Sequence, residues 1–388
     1  MNLIKEFVEE KKLEKAFEIM QKYYQERDLA AREWKEKGGK VVGYFCDSVP
    51  DEMIFAAGLF PLRISGDPLG GTEEIDKYLE PVYEGFVHSH LDMLLTGKYD
   101  FVDFMIIPRS RDSISQQYAN LCQIQALDPD LKLPSLYSFE FTHTQTYTSG
   151  FYTLERIRGL RKKLEEWAGK EISDESLSEA IAITNESRVL LKKVAALRAA
   201  EPPRISGVEA LQIIGSSMFM LKKDHNNLLR EFLKTADQLP SKEGARLFVE
   251  ASPLDNLQFY ELVESCNATI VAEDNCWGNR YFDGLIDTSI DPVEAIAKRY
   301  HQKSPCPYIY YPADLRTEYC LKKAMESKAQ GVIFYIFEHD SGQIWDYPTQ
   351  NKALEKKGIP AICFAGEKYL LSDPDRLKKS IEEFIEDI

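Results

Sequence analysis

The sequence predicts an α/β protein built from two Rossmann/flavodoxin-like parallel-sheet domains facing a cleft, with a helical N-terminal arm and a helical middle segment. Three observations predict it. At 388 residues the chain exceeds what one core usually holds. Short apolar runs of strand length alternate with amphipathic helical patterns in two blocks, and a stretch of almost purely helical periodicity separates them. Each block also contains an apolar strand that runs into a polar loop: Phe104 to Ile107 before Ser110 and Asp112, and Val332 to Phe337 before Asp340 and Ser341.

The expected divisions are 1–40, 41–150, 151–240 and 241–388. In the arm, Phe7, Leu13, Phe17, Met20 and Tyr24 recur at helical spacing until Gly38-Gly39 breaks the pattern. Lys40 to Phe45 is a short buried strand. Ser48, Pro50, Asp51 and Glu52 start a helix, and Gly58 to Ile64 turns into a second strand, making a β-α-β unit. Val102 to Tyr118 supplies a third strand and helix, and Leu133 to Phe139 a fourth strand. From Phe151 to about Asp237 the periodicity is helical, interrupted at Pro202-Pro203. Ala245 to Ala251, Ala268 to Glu273, Gly331 to Phe337 and Gly358 to Phe364 are the strands of the last block. The helices between them are expected at Leu257 to Ser265, Pro292 to Tyr300 and Leu315 to Ala329.

A formal net charge of -15 gives the chain no dominant basic face, which argues against nucleic-acid and anionic-membrane partners. No apolar run reaches membrane-spanning length and no secretory pattern opens the chain, so a cytoplasmic location is expected. The seven cysteines lack a CxxC pair, which signals neither a disulfide framework nor a metal site. GxSxG, GxGxxG and Walker loops are all missing.

The loop after the third strand is the first candidate site. Ligands of open α/β sheets sit outside the carboxyl ends of strands. Here that position carries Arg109, Ser110, Arg111, Asp112 and Ser113, with Asp112 or Ser110 as the expected N-cap of a helix whose amino end favours anions. The competing reading is a capped helix with two solvated arginines. Glu84 and His88, which share a face on a helix where His90 does not, form a second candidate, a metal site that Glu338, His339 or Asp340 from the other half could complete; without HxxxH or HExxH spacing, surface or hydrogen-bonded histidines are the simpler reading. Cys276, within Cys276-Trp277-Gly278-Asn279-Arg280 after a strand, is either a ligand-loop residue or a packed thiol.

Several stretches form a set: Val42 to Cys46 with Val49 to Glu52 and Ala56 to Gly58; His88 to Asp92 with Gly97; Pro108 to Ser113; and Ala272 to Asp274 with Gly278 and Arg280 to Phe282. Asp291-Pro292, Arg299-Tyr300, Pro305 to Pro307, Asp346 to Pro348 and Gly358 to Pro360 complete it, and it covers nearly the whole chain in order. In these stretches the chain resembles the 2-hydroxyacyl-CoA dehydratases and ATP-dependent benzoyl-CoA reductases, specifically their cluster-carrying subunits. The resemblance implies a two-domain α/β fold, pairing with a related subunit, acyl-CoA substrates, and low-potential electron chemistry in anaerobic metabolism driven by a separate ATP-dependent activator.

The departure from the family pattern is as informative as the match. Three cysteines hold a [4Fe-4S] cluster in the family's cluster-carrying subunits. The matching places here are Glu84, Arg111, and Glu338 or a neighbour up to Asp340, none of them cysteine. Iron clusters need soft thiolates. The expectation is therefore a carboxylate-guanidinium-carboxylate network in which Arg111 donates bidentate hydrogen bonds to both acids, with no cofactor held by this chain and the [4Fe-4S] cluster in a homologous partner. Arg63, Arg109 and Arg111 would meet anionic parts of a ligand, while Ser110, Ser113 and Cys276 shape the cleft. Two other readings are redox-neutral acyl-CoA chemistry with Glu84, His88, Glu338, His339 or Asp340 as acid/base groups, and a non-catalytic scaffold.

Overall fold

The computed structural model describes residues 15–140, 142, 144–308 and 312–388; the part of the expected arm in residues 1–14 lies outside them. Within the described residues the arm is helical over 15–25 and Leu29–Glu36. The first sheet comprises β1 (Val41–Tyr44), β2 (Phe60–Arg63), β3 (Phe104–Pro108) and β4 (Ser135–Phe139), all parallel, in the order β2-β1-β3-β4. The second repeats that order with β5 (Ala245–Ala251), β6 (Ala268–Asp274), β7 (Gly331–Phe337) and β8 (Ala361–Glu367), as β6-β5-β7-β8. All four residues of β1 and all seven of β7 are buried, as a run without polar alternation requires of a strand covered on both faces. The α/β class and the doubled flavodoxin-like design are therefore as the sequence predicts.

Local chemistry sets the element ends. The helix Asp51–Ala56 starts with Pro50, not Ser48, in the N-cap position, and Gly58 at φ 74° turns the chain into β2. The helix Asp112–Ser115 has Arg111 as its N-cap residue with no side-chain cap bond, which corrects the expected cap at Asp112 or Ser110. Arg111 is held there by other partners, described below. β8 begins after Pro360, later than expected, because proline brings no N–H to the ladder. Two helices not read from the sequence, Ser341–Glu355 and Pro374–Glu386, are both capped by aspartates: Asp340 accepts from Gln343 N, and Asp373 from Arg376 N.

The middle segment forms four helices, Tyr147–Ala168, Asp174–Ala199, Gly207–Ser216 and Lys222–Lys234, of which the first and third start in reciprocal capping boxes (Thr146 with Ser149, Ser206 with Glu209). The helix Asp174–Ala199 touches both halves. Arg188 Nη2 donates to Glu52 Oε2 at 3.1 Å beside β1, while Arg198 forms a two-point ion pair with Glu273 of β6. Both pairs are buried. One rigid helix thus fixes the spacing of the two sheets. No helix among the described residues is long and apolar enough to cross a membrane.

Candidate functional site between the two sheets

A narrow cavity of about 40 Å³ lies where the carboxyl ends of both sheets face each other. Phe45, Cys46, Arg63, His90, Ser110 and Arg111 line it from the first half. Asp255, Cys276, Trp277, Arg280, Cys306 and Tyr308 line it from the second. Its volume holds roughly three waters, far less than a site closed around a drug-sized ligand.

Arg111 is the centre of one wall and is buried. Its Nη1 donates to Glu84 Oε1 at 2.6 Å, and Nη2 lies 3.6 Å from Asp340 Oδ2. The guanidinium stacks 3.9 Å from the Tyr308 ring centre. Asp340 in turn accepts from Ser252 Oγ at 2.6 Å and Tyr308 Oη at 2.5 Å. The carboxylate-guanidinium-carboxylate arrangement is present. Of Glu338 to Asp340, the third member is Asp340, whereas Glu338 and His339, expected as acid/base groups, are exposed and face each other at 3.8 Å. The expected bidentate bonding to both acids is corrected: Arg111 makes no hydrogen bond to Asp340, so Nη2 keeps unspent donor capacity. Burial opposes the charge on Arg111, yet Tyr308, Glu84 and Asp340 together hold it firmly protonated.

The remaining candidates divide. Among the described residues, Ser110 lines the cavity and its Oγ has no partner; Ser113 Oγ is buried without one but does not line the cavity. Arg109 is exposed, 3.8 Å from Glu140, and is not part of the cavity lining. Arg63 spans the halves instead of facing free space: Nη1 donates to Cys276 O at 2.6 Å and Nη2 to Cys276 Sγ at 3.0 Å, under the Trp277 ring. His88 and His90 lie on the helix Gly85–Leu95. His88 Nδ1 is 2.7 Å from Asp76 Oδ1, outside the cavity lining.

His90 was not among the residues expected to bind, yet it lines the cavity, stacked 5.5 Å from Phe45 with both ring nitrogens unpartnered among the described residues. A histidine between two phenylalanines (Phe45 and Phe86) left no pattern in the sequence that separates ligand contact from core packing. Burial pushes its pKa down to about 4, and that of the buried His225 to about 3. Such a histidine stays neutral in the fold but charges when unfolded, so the unfolded state binds more protons below pH 6.5. Its contribution is complete above that pH and is lost as pH falls towards 4 for His90 and 3 for His225, by up to about 1.4 kcal/mol per pH unit for each. Melting of His90→Phe across this range should show a shallower acid slope than the parent; an unchanged slope would mean that His90 is not held neutral.

Residues 46–388 match the family described as 2-hydroxyglutaryl-CoA dehydratase, D-component. The chain is 24% identical to the (R)-phenyllactyl-CoA dehydratase beta subunit of Clostridium sporogenes, covering 91% of this chain and 92% of that one. It is 26% identical to one of the benzoyl-CoA reductase subunits of Thauera aromatica, over 88% of this chain and 90% of that one. Identity to the (R)-2-hydroxyglutaryl-CoA dehydratase beta subunit of Acidaminococcus fermentans is 23%, over 92% and 94%. With two like-ordered parallel sheets meeting at a shared cavity and a family match spanning almost its full length, this chain belongs to the 2-hydroxyglutaryl-CoA dehydratase D-component family.

Proposed function

We propose that the chain is the cluster-free subunit of a cytoplasmic 2-hydroxyacyl-CoA dehydratase or benzoyl-CoA reductase-like complex, paired with a [4Fe-4S]-bearing homologue and acting on an acyl-CoA thioester. The observation that carries this reading is Arg111 lying between Glu84 and Asp340. A guanidinium offers only donors and a positive charge, and carboxylates do not replace thiolates around iron. Cys46, Cys276 and Cys306 line the cavity, but none of them stands at these three places. The residues at these positions do not fit a cluster.

What this chain offers a substrate is half of a polar cleft. Ser110 Oγ, Arg111 Nη2 and the neutral His90 hold unspent hydrogen-bonding capacity. They suit a thioester carbonyl oxygen or a hydroxyl group better than a second full charge, since Arg111 is already neutralised. A cavity of about 40 Å³ does not admit an acyl thioester by itself, so the substrate surface is completed by the partner, on which an ATP-dependent activator would act. Acid/base chemistry by Glu338 and His339 has less support, because both sit exposed on the rim. The chain purified alone without oxygen should contain neither iron nor acid-labile sulfide, and co-expression with a cysteine-bearing homologue should yield a complex whose iron follows the homologue. A stoichiometric cluster in the isolated chain would overturn the reading.

A further inference from the structure

Behind the cavity wall two buried carboxyl groups face one guanidinium. Glu250 of β5 and Asp274 of β6 are register partners on neighbouring parallel strands, each only 1% exposed. Arg280, which lines the cavity, is the cation they share. Its Nε donates to Asp274 Oδ1 at 2.6 Å and its Nη2 to Asp274 Oδ2 at 2.8 Å, while Glu250 Oε1 stands 3.6 Å from Nη2. The guanidinium is therefore committed to Asp274. Among the described residues neither Glu250 oxygen has a hydrogen-bond partner. Glu250 shares its sheet face with Phe248 two residues earlier and stands opposite Phe334 of β7, both in the apolar cluster that includes Cys320. A carboxylate without hydrogen bonds in such a place, beside a second carboxylate, is far less favourable than a neutral carboxyl group. Gln343 points to the same conclusion. Its Nε2 donates to the carbonyl of Ala251, next to Glu250, and its own buried Oε1 has no partner among the described residues. Three acceptor oxygens at this end of β5 thus lack a donor, and a proton on Glu250 supplies one.

We propose that Glu250 and Asp274 hold one proton between them, carried by Glu250, and that its loss to solvent releases a latch on the cavity. With Glu250 neutral, Arg280 is bound to Asp274 at two points, and that pair closes the loop of residues 275–279, which carries Cys276 and Trp277 of the cavity wall. When Glu250 gives its proton to water it becomes a second carboxylate competing for Nη2. Arg280 turns towards it, one of the two bonds to Asp274 is lost, and the loop loosens. The device belongs to this chain alone and does not depend on what the cavity binds.

Few groups face Glu250. Asp274 and Arg280 come from β6 and the helix Asn279–Phe282, the Cys320 thiol from the helix Ala313–Glu326, the uncharged Gln343 from the helix Ser341–Glu355, and Phe334 from β7. Tyr319, on the same helix as Cys320, lies by Asp274 and Arg280 and donates to Asp283. Burial first, and then Asp274, push Glu250 well above the usual carboxylate range against the pull of Arg280. An unfolded glutamate releases its proton at about pH 4.3, so the folded-to-unfolded ratio falls by up to about tenfold per pH unit from there up to the pair's own pKa.

The full chain, labelled with carbon-13 at the glutamate side-chain carboxyl, is titrated by NMR through the neutral and alkaline range. One glutamate carbon should keep the position of the neutral acid at neutral pH. Glu250→Gln should remove that signal, and Asp274→Asn, which leaves Arg280 to Glu250, should move it to the ionised position. Tryptophan fluorescence should change in step with the titration, through a contribution that Trp277→Phe removes and that Glu250→Gln holds at its low-pH value. The folding constant of Glu250→Gln should gain on that of the parent as pH rises above the ordinary glutamate range. If Asp274→Asn does not fold, the other measurements decide. Glutamates that are all ionised at neutral pH, a neutral signal that survives Glu250→Gln, a Glu250→Gln variant less stable than the parent by the same amount at every pH, or Trp277 emission that ignores the titration would each overturn the proposal.

Discussion

Replacing Arg111 by methionine should destabilise the protein by about 3–5 kcal/mol, the cost of leaving buried charge uncompensated. Methionine matches the length of the arginine stem and its thioether packs against Phe86 and Tyr308, so little of the loss would come from cavity formation. The loss falls mainly on Glu84. Arg111 supplies its 2.6 Å side-chain hydrogen bond, whereas Asp340 keeps Ser252 Oγ, Tyr308 Oη and the Gln343 amide. Pairing Arg111→Met with Glu84→Gln should therefore recover most of the stability, while pairing it with Asp340→Asn should recover little. A double-mutant cycle read from urea or thermal unfolding separates the two partners. An exposed ion pair would give under about 1 kcal/mol, and a loss that small would show that Arg111 is not the compensating charge of this wall.

The contrast between Glu338 and Asp340 shows how far the sequence could be read. A continuous apolar run such as Gly331–Phe337 specifies a covered central strand, and the loop after the matching strand β3 points to Arg111, because parallel sheets place their functional groups at the carboxyl ends. Which residue of a three-residue polar loop turns inward depends on the turn that follows. The missing signal was the cap: Asp340 with Gln343 three residues on is a helix-start pattern, and a capping aspartate is held at the helix end while its two predecessors project outward. His339 at φ 67° carries the chain through that reversal. Arg63 and Cys276 were both legible as cleft residues, but their contact joins strands of different sheets and left no trace in local spacing. His90 was hidden for a related reason. Its significance lies in two unpartnered nitrogens at a cavity wall, a property of what surrounds it rather than of its place in the helix.

Glu273→Gln should cost about 3–5 kcal/mol and should loosen the seam between the halves as well as lower the melting temperature. Glu273 neutralises Arg198 by a two-point pair in which both side chains are about 1% exposed, and an amide supplies one acceptor where the carboxylate supplied two. Its position makes the effect reach the site. A Cβ on Gly278 would collide with the Glu273 carboxylate, so that group packs directly against the loop that carries Cys276 and Trp277. Arg198 and Arg188 lie ten residues apart on one helix, roughly 15 Å along its axis, and Arg188 holds Glu52 of the first half. Releasing the Arg198 end should therefore let the Cys276 loop drift from Arg63 while the Glu52 end stays fixed. Hydrogen exchange is the sensitive measurement: amides of β6 and of residues 275–282 should lose protection in Glu273→Gln, whereas those of β1 and β3 should exchange as in the parent. Equal loss of protection in both sheets would mean that the pair supports global stability alone, and that the helix does not transmit the spacing of the halves to the site.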